Sequence, residues 1–116
     1  MRTVQTSLGP IVIRRVSQTQ LTEALEAKLG SLQERTMRWI LDDAGADEVI
    51  ARTEALFRDP AQYEPEALLR FALPDAAAAR LMDRLTIDDA ETLAAAIVYF
   101  AREGRDAALG LGLRRE

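Results

Sequence analysis

This sequence predicts a mainly α fold, with a short N-terminal β-hairpin followed by a bundle of about five to six short helices. Three observations predict it. β-Branched residues flank Leu8-Gly9-Pro10 within the first 16 positions. Ser followed three residues later by Gln or Glu then occurs twice, and apolar residues repeat at three- and four-residue steps for most of the remaining chain. The expected division is a β-hairpin over 1–16, a helical domain over 17–104 and a flexible C-terminal tail over 105–116, all within one structural domain.

The hairpin rests on residues 2–7 and 11–16 as strands. Gly allows positive φ and Pro fixes its own, so Gly9-Pro10 marks the turn. Ile11 and Ile13 share one face, Val12 and Arg14 the other. Two strands alone are marginal in water, so this pair must pack on the helices or gain strands from another chain.

Ser17-Gln18-Thr19-Gln20 has the form of a capping box, Leu21, Leu25 and Leu29 follow at four-residue steps, and Gly30 supplies a left-handed stop. Ser31-Leu32-Gln33-Glu34 repeats the box and opens a helix expected to end at Gly45, with Met37, Ile40, Leu41 and Ala44 on one face. Asp47 is placed to cap a third helix through Val49, Ile50, Thr53, Leu56 and Phe57, which Asp59-Pro60 ends. Residues 59–65 read as a loop. Pro65 suits the first turn of a short helix through Leu73, and Pro74 restarts or kinks a further one with Ala78, Leu81, Met82 and Leu85 as its stripe. Thr86-Ile87-Asp88-Asp89 begins the last helix, its two acids set against the positive end of the dipole. Leu93, Ala94, Ile97, Phe100 and Ala101 face inward and Gly104 is the expected stop. Each Gly beyond it weakens helix by about 1 kcal/mol relative to Ala.

Composition bounds the function. The 116 residues carry 15 basic and 19 acidic side chains, a formal charge of −4, with 48% hydrophobic residues, no Cys and no His. A chain of this length supports a core without disulfide or metal staples. Thiolate and imidazole nucleophiles, bases and metal ligands are excluded together. Of the three serines, Ser17 and Ser31 serve as caps, and Lys28, the sole lysine, sits on a leucine-bearing helix without a paired motif. Asp42-Asp43 and Asp88-Asp89 are adjacent on helices and point about 100° apart, so neither pair shares a site. No spaced acidic motif for a cation and no glycine-rich phosphate loop occurs. No cofactor and no metal is expected, nor an enzyme.

A helix-turn-helix over residues 34–57 fails on charge. Its second helix carries Asp47, Glu48 and Glu54, which repel phosphate. A helical hairpin packed on the core is the plainer reading, and no nucleic-acid partner is expected. Apolar runs such as residues 93–101 are too short to span a bilayer, and no apolar signal core opens the chain, so a cytoplasmic protein without a membrane partner is expected. Candidate partner-binding residues are Trp39 and Tyr99, each beside the main apolar stripe of its helix. To these are added Leu109, Leu111 and Leu113, which alternate with glycine in a tail suited to strand addition or groove capture.

The passages Ile11-Val12-Ile13-Arg14-Arg15-Val16-Ser17, leading into Leu21-Thr22-Glu23-Ala24-Leu25, and Leu85-Thr86-Ile87-Asp88-Asp89-Ala90-Glu91-Thr92-Leu93 cover about a quarter of the chain. In them the chain resembles the tail assembly chaperones of long-tailed bacteriophages. The resemblance implies a non-enzymatic assembly factor that binds the tape-measure protein, keeps it soluble and recruits tail-tube subunits, in the host cytoplasm if phage-encoded. Coating a client would need a homo-oligomer, for which the hairpin edge and last helix are the available surfaces. Two alternatives stay open: a structural virion adaptor at the head-tail junction or in the tail, and a small regulatory protein-interaction module.

Overall fold

The computed structural model describes residues 1–73 and 80–114, with residues 104–114 described by their backbone alone. Strands β1 (Arg2–Thr6) and β2 (Gly9–Ile13) form an antiparallel hairpin in which Val4 lies opposite Ile11 and Arg2 opposite Ile13. The turn is Ser7-Leu8, two residues earlier than Gly9-Pro10. Gly9 follows it at φ +101°, a conformation that costs glycine nothing. Val4, Ile11 and Ile13 are buried while Val12 is exposed, as the alternation required. The hairpin packs on the helices.

Helix α1 (Gln18–Leu29) carries the complete capping box. Ser17 Oγ accepts from Gln20 N at 3.1 Å, and Gln20 Oε1 accepts from Ser17 N at 2.9 Å. Leu21 and Leu25 are buried in the core, and Gly30 stops the helix at φ +83°. Helix α2 (Leu32–Leu41) has only half a box. Ser31 Oγ accepts from Glu34 N at 3.2 Å, but it is Glu26 from α1 that satisfies the next free amide, accepting from Leu32 N at 2.8 Å. Helix α2 also ends earlier than Gly45. Asp43 adopts φ +68°, a left-handed conformation that Asp tolerates through its short polar side chain, and the chain turns there. Gly45, extended at φ −72° and ψ 164°, is the N-cap of α3 (Ala46–Arg58), so Asp47 lies in the first turn instead of capping.

A 3-10 turn at Pro60–Gln62, capped by Asp59, occupies the expected loop, and α4 (Pro65–Ala72) begins on its proline. Tyr63 between them is buried, and its hydroxyl donates to Phe57 O at 2.7 Å. Burial pushes this phenol well above its ordinary range, so it stays a donor. The expected helix starting at Pro74 falls on residues 74–79, with Ala78, outside the described residues; residues 80–82 are helical.

Helix α5 (Ile87–Arg114) does not stop at Gly104. A single glycine costs about 1 kcal/mol but removes no hydrogen bond, and Ala107, Ala108 and Leu109 beyond it favour continuation. Leu93, Ala94, Ile97, Val98, Phe100 and Ala101 join α1, α4 and the hairpin in one core. No helix among the described residues is long and apolar enough to cross a membrane.

Two clasps bind the hairpin along α5. At one end the Asp89 carboxylate accepts from both Ser7 N, at 3.0 Å, and Ser7 Oγ. At the other, Arg2 pairs with Glu103, and the Arg2 and Arg15 guanidinium groups each lie 4.5 Å from the centroid of the Phe100 ring. The Ser7 bonds hold the Asp89 carboxyl below the usual carboxylate range, and the Arg2 bond does the same for Glu103. A depressed folded-state pKa stabilises the fold above the unfolded value, near 4, and that contribution is lost as pH falls through the folded value. Thermal unfolding followed from pH 6 to pH 2 is therefore expected to show stability falling below about pH 4. Asp89→Asn should start less stable at pH 6 and show a smaller fall.

Candidate partner-binding surface

Helix α2 is amphipathic in sequence, yet it turns the wrong side toward the protein. Its half-buried residues are Leu32, Arg35, Thr36 and Trp39, spaced so that they share one face. Leu32 packs against the core, Arg35 donates to Leu29 O at 3.2 Å, and the Arg52 guanidinium of α3 lies 5.6 Å from the Trp39 ring. Buried Arg35 Nε has no hydrogen-bond partner among the described residues. The opposite face holds Met37 at 53% exposure, Ile40 at 51% and Leu41 at 79%, and Ile50 on α3 is 62% exposed. No residue of α2 is fully buried.

The sequence expected a helical hairpin packed on the core. Instead, only the root of the hairpin is embedded. Phe57 is buried, and Glu54 Oε2 accepts from the buried Arg102 NH2 of α5 at 2.7 Å. Helix α3 thus anchors α2, while α2 sets Leu32 against the core and contributes no fully buried side chain to it. Fully burying one such side chain is worth about 1.5–3 kcal/mol, so the four, each from one-half to four-fifths exposed, hold roughly 4–7 kcal/mol of unrealised burial. A run of exposed apolar side chains is the kind of surface that interaction sites use.

Trp39 is accordingly a packing residue between α2 and α3, on the face turned away from the stripe. Tyr99 is 57% exposed on α5 and lines a recess with Arg58, Arg102 and Glu103. Trp39 is not part of that recess. Leu109, Leu111 and Leu113 lie on the helical backbone of α5, but their side chains are outside the described residues. The residues that sequence reasoning missed are Met37, Ile40, Leu41 and Ile50. Their periodicity was legible, but a periodic stripe reads the same whether a helix faces a core or a partner.

A second concavity of about 620 Å³ lies between the end of α1, the 3-10 turn and the start of α5, with Pro60, Pro65, Ile87, Ala90 and Ala94 among its walls. Lys28 and Glu91 edge it, and Lys28 Nζ donates to Ala61 O. Among the described residues no three acidic side chains converge to hold a metal ion. Asp88 is exposed and Asp89 is committed to Ser7 and to the start of α5, where its amide donates to Thr86 Oγ1 at 3.1 Å.

Comparison of the chain with protein-family models, with curated proteins and with solved structures gives no match.

Proposed function

We propose that the protein is a non-enzymatic, protein-binding assembly factor that covers an apolar helical stripe of its partner with the outward face of α2. One observation carries the reading: Met37, Ile40 and Leu41 stand exposed, outside the core formed by the described residues. Covering them would recover burial that the folded monomer leaves unused, in the helix-in-groove manner of amphipathic recognition. The net charge of −4 helps keep such a complex dispersed.

The resemblance to phage tail assembly chaperones supplies a particular client. On that reading the partner is a long helical tape-measure protein, tail-tube subunits are recruited to the complex, and the work takes place in the host cytoplasm. Co-expression with a candidate tape-measure protein is expected to bring that protein into the soluble fraction as a complex. Co-expression of Ile40→Gln/Leu41→Gln with the same client should leave it insoluble. A client that stays insoluble with the unaltered chain, or that both chains solubilise equally, contradicts the reading.

A further inference from the structure

The recess beside Tyr99 has in its wall a guanidinium whose hydrogen bonds are incomplete. Arg102 is more than nine-tenths buried; its NH2 donates to Glu54 Oε2 at 2.7 Å, and its NH1, also buried, meets no acceptor among the described residues. Arg102 shares the walls of this recess, about 440 Å³, with Arg58, Tyr99 and Glu103. Two of those walls are loosely held. The Arg58 side chain is 70% exposed and its one ion-pair contact, to Glu54, is 4.0 Å long, while Tyr99 is largely exposed and its hydroxyl makes no hydrogen bond among the described residues. Both side chains are therefore placed to swing and let a ligand atom reach Arg102 NH1.

Charge around the recess is unbalanced. Glu54 faces both Arg102 and Arg58, and Glu103 faces Arg2, with Arg15 set on the same Phe100 ring as Arg2. Among the described residues, four guanidinium groups stand here against two carboxylates, on a protein whose net charge is −4.

We infer that this recess binds a phosphate group, free or as a monoester, which enters between Arg58 and Arg102, accepts from the unbonded NH1 of Arg102 and from Arg58, and takes the Tyr99 hydroxyl as a further donor. No residue of α2 lines the recess, so the inference stands or falls independently of the apolar stripe. A phosphate monoester carries about 1.5 to 2 negative charges near pH 7, close to the excess of positive charge here. Its oxygens accept several charge-assisted bonds at once, which the planar guanidinium fork is shaped to donate. A carboxylate brings one charge, and an apolar ligand leaves Arg102 NH1 as unsatisfied as before.

The test is a titration of the isotope-labelled full chain with phenyl phosphate, inorganic phosphate and benzoate, ionic strength being held constant with sodium chloride while the arginine Nε–H signals are followed by NMR. Phenyl phosphate is expected to shift the Arg58 and Arg102 signals along a saturating curve and to bind about tenfold more tightly than benzoate. Arg58→Gln, at an exposed position, should weaken that binding about tenfold while the unfolding midpoint stays within a few degrees, and Tyr99→Phe should weaken it about threefold. Inorganic phosphate binding as tightly as phenyl phosphate supports a free-phosphate site, and weaker binding supports a monoester whose body rests on the Tyr99 ring. Absence of saturation, shifts spread equally to the exposed Arg38 and Arg70, binding unchanged in Arg58→Gln, or benzoate binding as tightly as phenyl phosphate would each overturn the proposal.

Discussion

Glu54→Ala is expected to destabilise the protein by about 2–4 kcal/mol, seen as a fall of roughly 10 °C or more in the unfolding midpoint. Arg102 has only 8% of its side chain exposed, and its NH2 donates to Glu54 at 2.7 Å; its NH1 is buried without a partner among the described residues. Removing the carboxylate leaves an enclosed guanidinium short of its counter-charge, and an unpaired buried charge costs more than the pair itself returns. Glu54 is 30% exposed, so water can enter the space left behind, which places the estimate below that for a fully enclosed pair. Glu54→Gln keeps an acceptor and should lose less. Replacing both partners, as Glu54→Leu with Arg102→Met, should restore much of the loss, because no charge then remains to be solvated. A double-mutant cycle on unfolding midpoints checks all three outcomes. The result bears on function because this contact, with Phe57, fixes the root of α3 and so holds α2 in place.

The second large effect is on binding and leaves stability nearly unchanged. Ile40→Gln/Leu41→Gln is expected to abolish capture of an apolar helical partner while the chain stays folded. Gln is close to Leu in helix propensity, so the helix itself loses well under 1 kcal/mol. Since Ile40 and Leu41 are 51% and 79% exposed, little burial is forfeited in the monomer. On the proposed function the same two side chains become central contacts of the complex, and losing a central anchor of an interface costs about 2 kcal/mol or more where it is a hot spot.

Much of the fold was legible because local signals decided it. Ser17 with Gln20, Gly30 after Leu29, Pro65 at a helix start and Thr86 before Asp88-Asp89 all act through backbone groups a few residues away, so the sequence suffices to find them. The stop at Gly104 misled because glycine ends a helix only when tertiary contacts or the following residues take advantage of its freedom, and the alanines after it do not. The α2–α3 turn misled because Asp43, not Gly45, supplies the left-handed residue. Contacts across 82 and 101 residues, Ser7 with Asp89 and Arg2 with Glu103, have no local signature at all. The candidate surface was half legible. The spacing of Met37, Ile40, Leu41 and Ala44 defined a stripe, but its direction is set by Trp39, Arg35 and Leu32 docking on the other side. Trp39, singled out as an anchor, lies on that docked face.

The outward orientation of α2 is the claim on which the binding account depends, and the thermal unfolding midpoint of Ile40→Gln/Leu41→Gln, at a concentration where the chain is monomeric, tests it most directly. The account predicts a midpoint within a few degrees of the unaltered protein, in keeping with two exposed substitutions. A fall of 15 °C or so, about what two glutamines buried in a core would cause, would contradict it, because it would place the stripe inside the fold and leave no surface to grip a partner.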